Sequence, residues 1–176
     1  LELLQKIYPD DYNEILALAM YEVSEGAPSY LFPSWVEEQS LPEAKQLGSS
    51  GISALYESLG RDQKSKDRFM KEWIKRQNPI EGVYYDITSI SSYSTKIDFI
   101  EWGYNRDKES LPQINMGVIC DMKSGLPVYY RTHPGSIVDV TTLRNCIKYL
   151  QAYSLQDVIM ILDRGFCSTA NILNMS

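Results

Sequence analysis

Asp86 and Asp163 are the residues whose type and setting could do chemistry. Around the first, Val83, Tyr85 and Ile87 alternate with Tyr84, Asp86 and Thr88, the period of a half-buried strand. Strands disfavour aspartate, so a carboxylate among Tyr, Ile and Thr calls for a reason. Asp163 closes the run Asp-Val-Ile-Met-Ile-Leu-Asp, whose apolar centre is typical of a strand covered on both faces. Arg164 and Gly165 follow at once. An aspartate at a strand end also serves as a turn or helix cap, so neither residue defines a site alone. Side by side on neighbouring strands, about 4.8 Å apart, two carboxylates repel and need a shared proton or a cation. Magnesium or manganese would suit an all-oxygen pair. Paired ions about 3.5–4 Å apart stabilise the attacking and leaving oxygens of a phosphoryl displacement.

The elements that must position this pair begin after Pro79, where the apolar period changes from 3.6 to 2. The segment at 83–88 is the first strand, and the polar stretch 91–112 is an extended connection. INMGVICDM is a second strand and LPVYYRT a third, joined as a hairpin by Lys123-Ser124-Gly125. Asp139 opens a helix with Leu143, Ile147 and Leu150 on one face. The apolar fourth strand ends at Asp163, and Ser168 or Thr169 opens a final helix. If the helix between strands three and four is a right-handed crossover, the fourth strand lies beside the first and parallel to it. The order strand, strand, strand, helix, strand, helix makes residues 81–176 a mixed α/β sheet domain.

Residues 1–80 read as a separate helical region. Asp10 and Asp11 can cap a helix in which Leu16, Ala19, Met20 and Val23 recur at helical spacing, with Gly26 and Pro28 as its stop. A short helix fits YLFPSWVEEQSLP, and another follows Ser49-Ser50 and stops at Gly60. From Arg61 to Gln77, Phe69, Met70, Trp73 and Ile74 share one side of a helix. Arg61, Lys64, Arg68, Lys71 and Lys75 share the other. Seven basic and three acidic residues give 61–76 a net +4 inside a chain of net charge −6. Such a stripe is either a solvated face or a surface that tracks phosphates.

Composition bounds the rest. The 176 residues are 44% hydrophobic and 23% charged, which excludes disorder over most of the length. No apolar run approaches the roughly 20 residues of a membrane span. The start LELLQKIYPD has neither the basic opening nor the apolar centre of a secretory signal. Cys120, Cys146 and Cys167 are odd in number and widely spaced, which gives no zinc pattern or disulfide framework and reads as buried thiols in a reducing cytoplasm. The single histidine, His133, excludes a multi-histidine metal centre. The acidic balance opposes nucleic acid as a general partner, so any DNA contact has to use local positive charge.

The stretch from Val83 onward resembles the catalytic domain of bacterial insertion-sequence transposases of the DDE class. YYDITSIS is similar to the segment bearing that family's first catalytic aspartate, and ILDRGFCSTANI to the segment bearing the second. Between them lie WGYNRDKESLPQ, a strand, a Gly-Leu-Pro turn, Pro134-Gly135 and an aspartate before a helix, in the family's order and spacing. Ser136 stands where the family has asparagine, a change expected to alter a loop. The resemblance implies a ribonuclease-H-like mixed sheet, incomplete at its C-terminal end. It implies a DNA transposase that cuts and joins element ends by two-metal-ion phosphoryl transfer. Asp86 and Asp163 would be catalytic residues and ligands of Mg2+ or Mn2+. Double-stranded DNA would be the partner, a homodimer the working assembly, and the bacterial cytoplasm and nucleoid the location. The third acid of the family, a glutamate on a later helix, is expected beyond Ser176, so the chain reads as a piece inactive by itself.

Two places could supply the positive charge that DNA requires: the helical stripe, and a rim of Arg106, Lys108 and Arg164 close to the chemistry. Two other classes compete. A non-catalytic DNA-binding or dimerising remnant of a decayed element would keep the fold without the reaction. A haloacid-dehalogenase-like phosphatase would need a second aspartate at Thr88 and an immediate helix, and the sequence has neither.

Overall fold

The computed structural model describes residues 1–39, 44, 47–77, 79–104, 110–137, 139–153, 155, 158–163 and 166. The chain divides into two compact units, Leu1–Trp73 and Ile74–Ser176. The division falls inside a helix, a few residues before the boundary that the change of period suggests. Ile74 belongs to the core of the second unit.

The first unit is helical, with α1 at Glu2–Ile7, α2 at Tyr12–Ser24, a 3-10 turn at Ser29–Leu31, α3 at Phe32–Glu38 and α4 at Ser49–Arg61. The face of α2 differs from the expected one. Glu14, Ala17, Leu18 and Tyr21 are buried, while Ala19, Met20 and Val23 are exposed. Both stripes have helical spacing, and the aromatic partners decide between them. The Tyr21 ring meets Phe32 and Trp35 edge-on at 5.5 and 5.3 Å, and its hydroxyl donates to the Pro28 carbonyl at 2.9 Å. Ile52 and Leu55 of α4 complete this core.

α4 runs one residue past Gly60, and α5 occupies Gln63–Gln77. Asp62 between them accepts the Ser65 N–H at 3.0 Å, which caps the new helix. Arg61 therefore ends α4 instead of opening α5, and it pairs with Glu57 one turn back at 2.5 Å.

The second unit carries a four-stranded mixed sheet of order β3-β2-β1-β4. The strands are β1 at Gly82–Ser91, β2 at Gln113–Asp121, β3 at Pro127–Pro134 and β4 at Ile159–Leu162, with α6 at Asp139–Ala152 between the last two. β1 is interior, antiparallel to β2 and parallel to β4, as a ribonuclease-H-like sheet requires. At the β2–β3 turn Gly125 takes φ +70°, open to glycine without strain. Asp121 accepts the Ser124 N–H at 2.8 Å and its hydroxyl at 2.6 Å.

Val83, Tyr85 and Ile87 point into a core completed by Ile119, Val128, Leu143, Cys146 and Leu150. α6 thus covers one face of the sheet. On β4 the partly buried Met160 and Leu162 pack against that core, but Ile159 and Ile161 are exposed. The expected cover on both faces of this strand is absent among the described residues, because their buried cluster lies on one side of the sheet. The final helix expected at Ser168 or Thr169 lies outside the described residues.

Candidate active site

The register of β1 against β4 builds the candidate site. Gly82, Val83, Tyr84 and Tyr85 pair in turn with Ile159, Met160, Ile161 and Leu162. The next residue on each strand is an aspartate, Asp86 on β1 and Asp163 just past β4. Both are exposed. Strand alternation puts Asp86 on the face opposite Tyr85 and Ile87, the face that the core does not use. Its carboxylate accepts the Ile87 N–H at 2.8 Å. A cluster of three or more His, Cys, Asp or Glu side chains fit to hold a metal does not occur among the described residues. Asp86 and Asp163 each offer hard oxygen donors.

The other sequence-derived candidates divide in two. Arg106, Lys108 and Arg164 lie outside the described residues. Lys64, Arg68, Lys71 and Lys75 are exposed along α5, while Met70 and Ile74 are buried on its other side. Arg61 belongs to α4 and is engaged by Glu57.

Gln113 and Asn115 were not evident from the sequence, and they tie the loops at the carboxyl end of β1. Both are buried on β2. Gln113 Nε2 donates to the Tyr104 carbonyl at 2.8 Å and to Asn115 Oδ1 at 3.1 Å, and reaches the Gly135 carbonyl at 3.5 Å. Asn115 Nδ2 donates to the carbonyls of Gly135 and Ile137, both at 3.2 Å. The Ser89 hydroxyl of β1 donates to Asn115 Oδ1 at 3.0 Å. Two buried amides thereby satisfy three loop carbonyls, which would be costly to leave unpaired. Polar residues at alternate, inward positions of a strand are the signal that could have revealed them. The Ser136 hydroxyl donates to the Glu101 carboxylate, so this serine ties its loop to the 92–112 connection.

His133 on β3 is buried, and burial first, then the Arg131 charge, holds its pKa below the ordinary value. Burial pushes the Cys146 thiol up to about 12, which keeps it protonated and unreactive. Cys120 is a half-buried free thiol, and Cys167 lies outside the described residues. Among the described residues no helix is long and apolar enough to cross a membrane.

The sheet order is that of a ribonuclease-H-like fold, with one aspartate just past each end of the paired β1–β4 stretch. A family model described as transposase DDE domain matches residues 77–176, and the chain belongs to that family. No curated protein and no solved structure matches the chain.

Proposed function

We propose that this chain forms part of a DNA transposase in which Asp86 and Asp163 are the first two carboxylates of the catalytic centre. The observation that carries the reading is the register. The last paired residues of β1 and β4 are Tyr85 and Leu162, and an aspartate follows each, inside the segment that belongs to the family. The donor set fits Mg2+ or Mn2+, since both groups are exposed carboxylates and those ions prefer oxygen. Asp86 and Asp163 would hold the metal, which when bound supplies charge stabilisation to the attacking and leaving oxygens of phosphoryl transfer. The protein's own part is positional. β1 sits between β2 and β4, so the Asp86 backbone is fixed by the sheet, and Asp163 leaves β4 one residue beyond its last pair. Double-stranded DNA at the element ends and target is the substrate, in the cytoplasm and nucleoid, and a homodimer would hold two ends together.

The test uses the intact transposase. Asp86→Asn and Asp163→Asn keep side-chain shape and remove the charge that holds the ion. Strand nicking or transfer in Mg2+ or Mn2+ should fall below detection in each variant, with DNA binding retained. Full cleavage by either variant would remove that residue from the catalytic centre.

A further inference from the structure

Residues 99–104 combine a fixed backbone with unburied aromatic rings. The Gly135 N–H donates to the Phe99 carbonyl at 3.2 Å. Glu101 exchanges both of its backbone hydrogen bonds with Gln113, at 3.1 and 2.9 Å. The Tyr104 carbonyl accepts from Gln113 Nε2. At Gly103 the chain passes so close to Gly135 that a Cβ would overlap the Gly135 carbonyl oxygen. Yet Trp102 is 67% and Tyr104 85% exposed, and Phe99 and Tyr93 are exposed with them. Fixing a backbone while leaving its largest apolar side chains in water gains nothing for the fold, since the hydrophobic return comes only from burial.

We propose that residues 99–104 form a stacking platform for unpaired bases of a DNA strand, with Trp102 and Tyr104 supplying the rings. Every base has a π-face that stacks on an aromatic side chain, and a fixed platform loses little freedom when one arrives. Charge favours stacking over phosphate contact here. Between residues 92 and 104 the only charged side chains are Lys96, Asp98 and Glu101, a net negative set. Position favours DNA. Gln113, which anchors the platform, pairs with Ser91 at the carboxyl end of β1. Asp163 comes level with Asp86, five residues before Ser91 on β1, so the platform lies about 17 Å further along the sheet than the aspartates, a span of a few nucleotides. Base faces are hidden inside a duplex, so the occupant is a strand end or an unpaired stretch near the cut. This inference rests on the transposase reading for the identity of its ligand.

The 176-residue chain itself can be tested with single-stranded oligothymidine and a duplex of equal length. Trp35 and Trp73 are partly buried, so an exposed-tryptophan signal reports on Trp102. Oligothymidine should quench that signal, and the duplex should not. W102A and Y104A should each weaken single-strand binding by about tenfold, with the thermal midpoint unchanged and the slope of log K against log salt unaltered. W102F should restore most of the affinity. Binding unaffected by W102A, or equal quenching by duplex, overturns the platform, as does a change confined to self-association or to capture of a protein. If oligothymidine quenches Trp102 while cleavage by the intact transposase ignores Asp86→Asn, the catalytic reading fails and the platform stands. If cleavage needs Asp86 and Trp102 stays unquenched, the platform alone fails.

Discussion

Asp86 and His133 show how strand alternation assigns opposite duties to polar residues of one sheet. Asp86 faces outward and is exposed, while His133 faces a cavity lined by Tyr85, Arg131 and Cys146. Burial and the Arg131 charge favour the neutral imidazole in the folded state. The unfolded chain therefore takes up a proton first as pH falls below about 6.5. The His133 contribution to stability should be constant above that value and should decline below it, since protons then favour the unfolded chain. Melting temperatures at pH 7.5 and 5.5 check this: the drop should shrink in His133→Gln. The depressed carboxyls of Asp62, bonded by Ser65, and of Asp121, bonded by Ser124, lose their contributions only as pH falls toward and below about 4. Their effect lies outside that window. At this scale the candidate aspartates were legible, Asp86 because a charge in a period-2 apolar pattern stands out and Asp163 because it closes an apolar run. Gln113 and Asn115 were not, because their partners are carbonyls of Tyr104, Gly135 and Ile137, brought near only by the folded sheet.

Among the elements, the strands of the second unit follow from alternation and turn chemistry, and their order follows from the crossover at α6. The helices of the first unit follow from spacing, but spacing leaves the buried side of α2 open. Apolar residues lie on both of its sides, and the choice falls to Tyr21, whose ring and hydroxyl are both used. Leu18→Ala should cost about 2–5 kcal/mol, the usual range for a core leucine. Val23→Ala, at a position 90% exposed, should change stability by no more than about 0.5 kcal/mol. Denaturant titration of the two variants separates the faces. β4 gives the same kind of comparison: Leu143→Ala on α6 should be strongly destabilising, and Ile159→Ala nearly silent.

For the whole molecule, a net charge of −6 sets the electrostatic problem. DNA carries dense negative charge, so an acidic protein that binds it must concentrate cations locally. Lys64, Arg68 and Lys71 on the exposed side of α5 are such a concentration. Reversing all three to Glu in the intact transposase should weaken DNA binding at low salt. Each lost phosphate contact should make the slope of log K against log salt shallower by about 0.9. An unchanged slope would mark the stripe as solvated helix surface. That stripe was legible in the sequence apart from its first member, since Asp62 breaks the helix and leaves Arg61 on α4.

The claim on which the account turns is that Asp86 and Asp163 act as one carboxylate pair. Their separation in a crystal soaked with manganese tests it most directly, because the anomalous signal of the ion locates it without reference to activity. The Cα atoms of the two residues should lie within about 10 Å, roughly twice the interstrand spacing, with a manganese peak touching both carboxylates. A larger separation, or an ion bound elsewhere with both aspartates vacant, would contradict it.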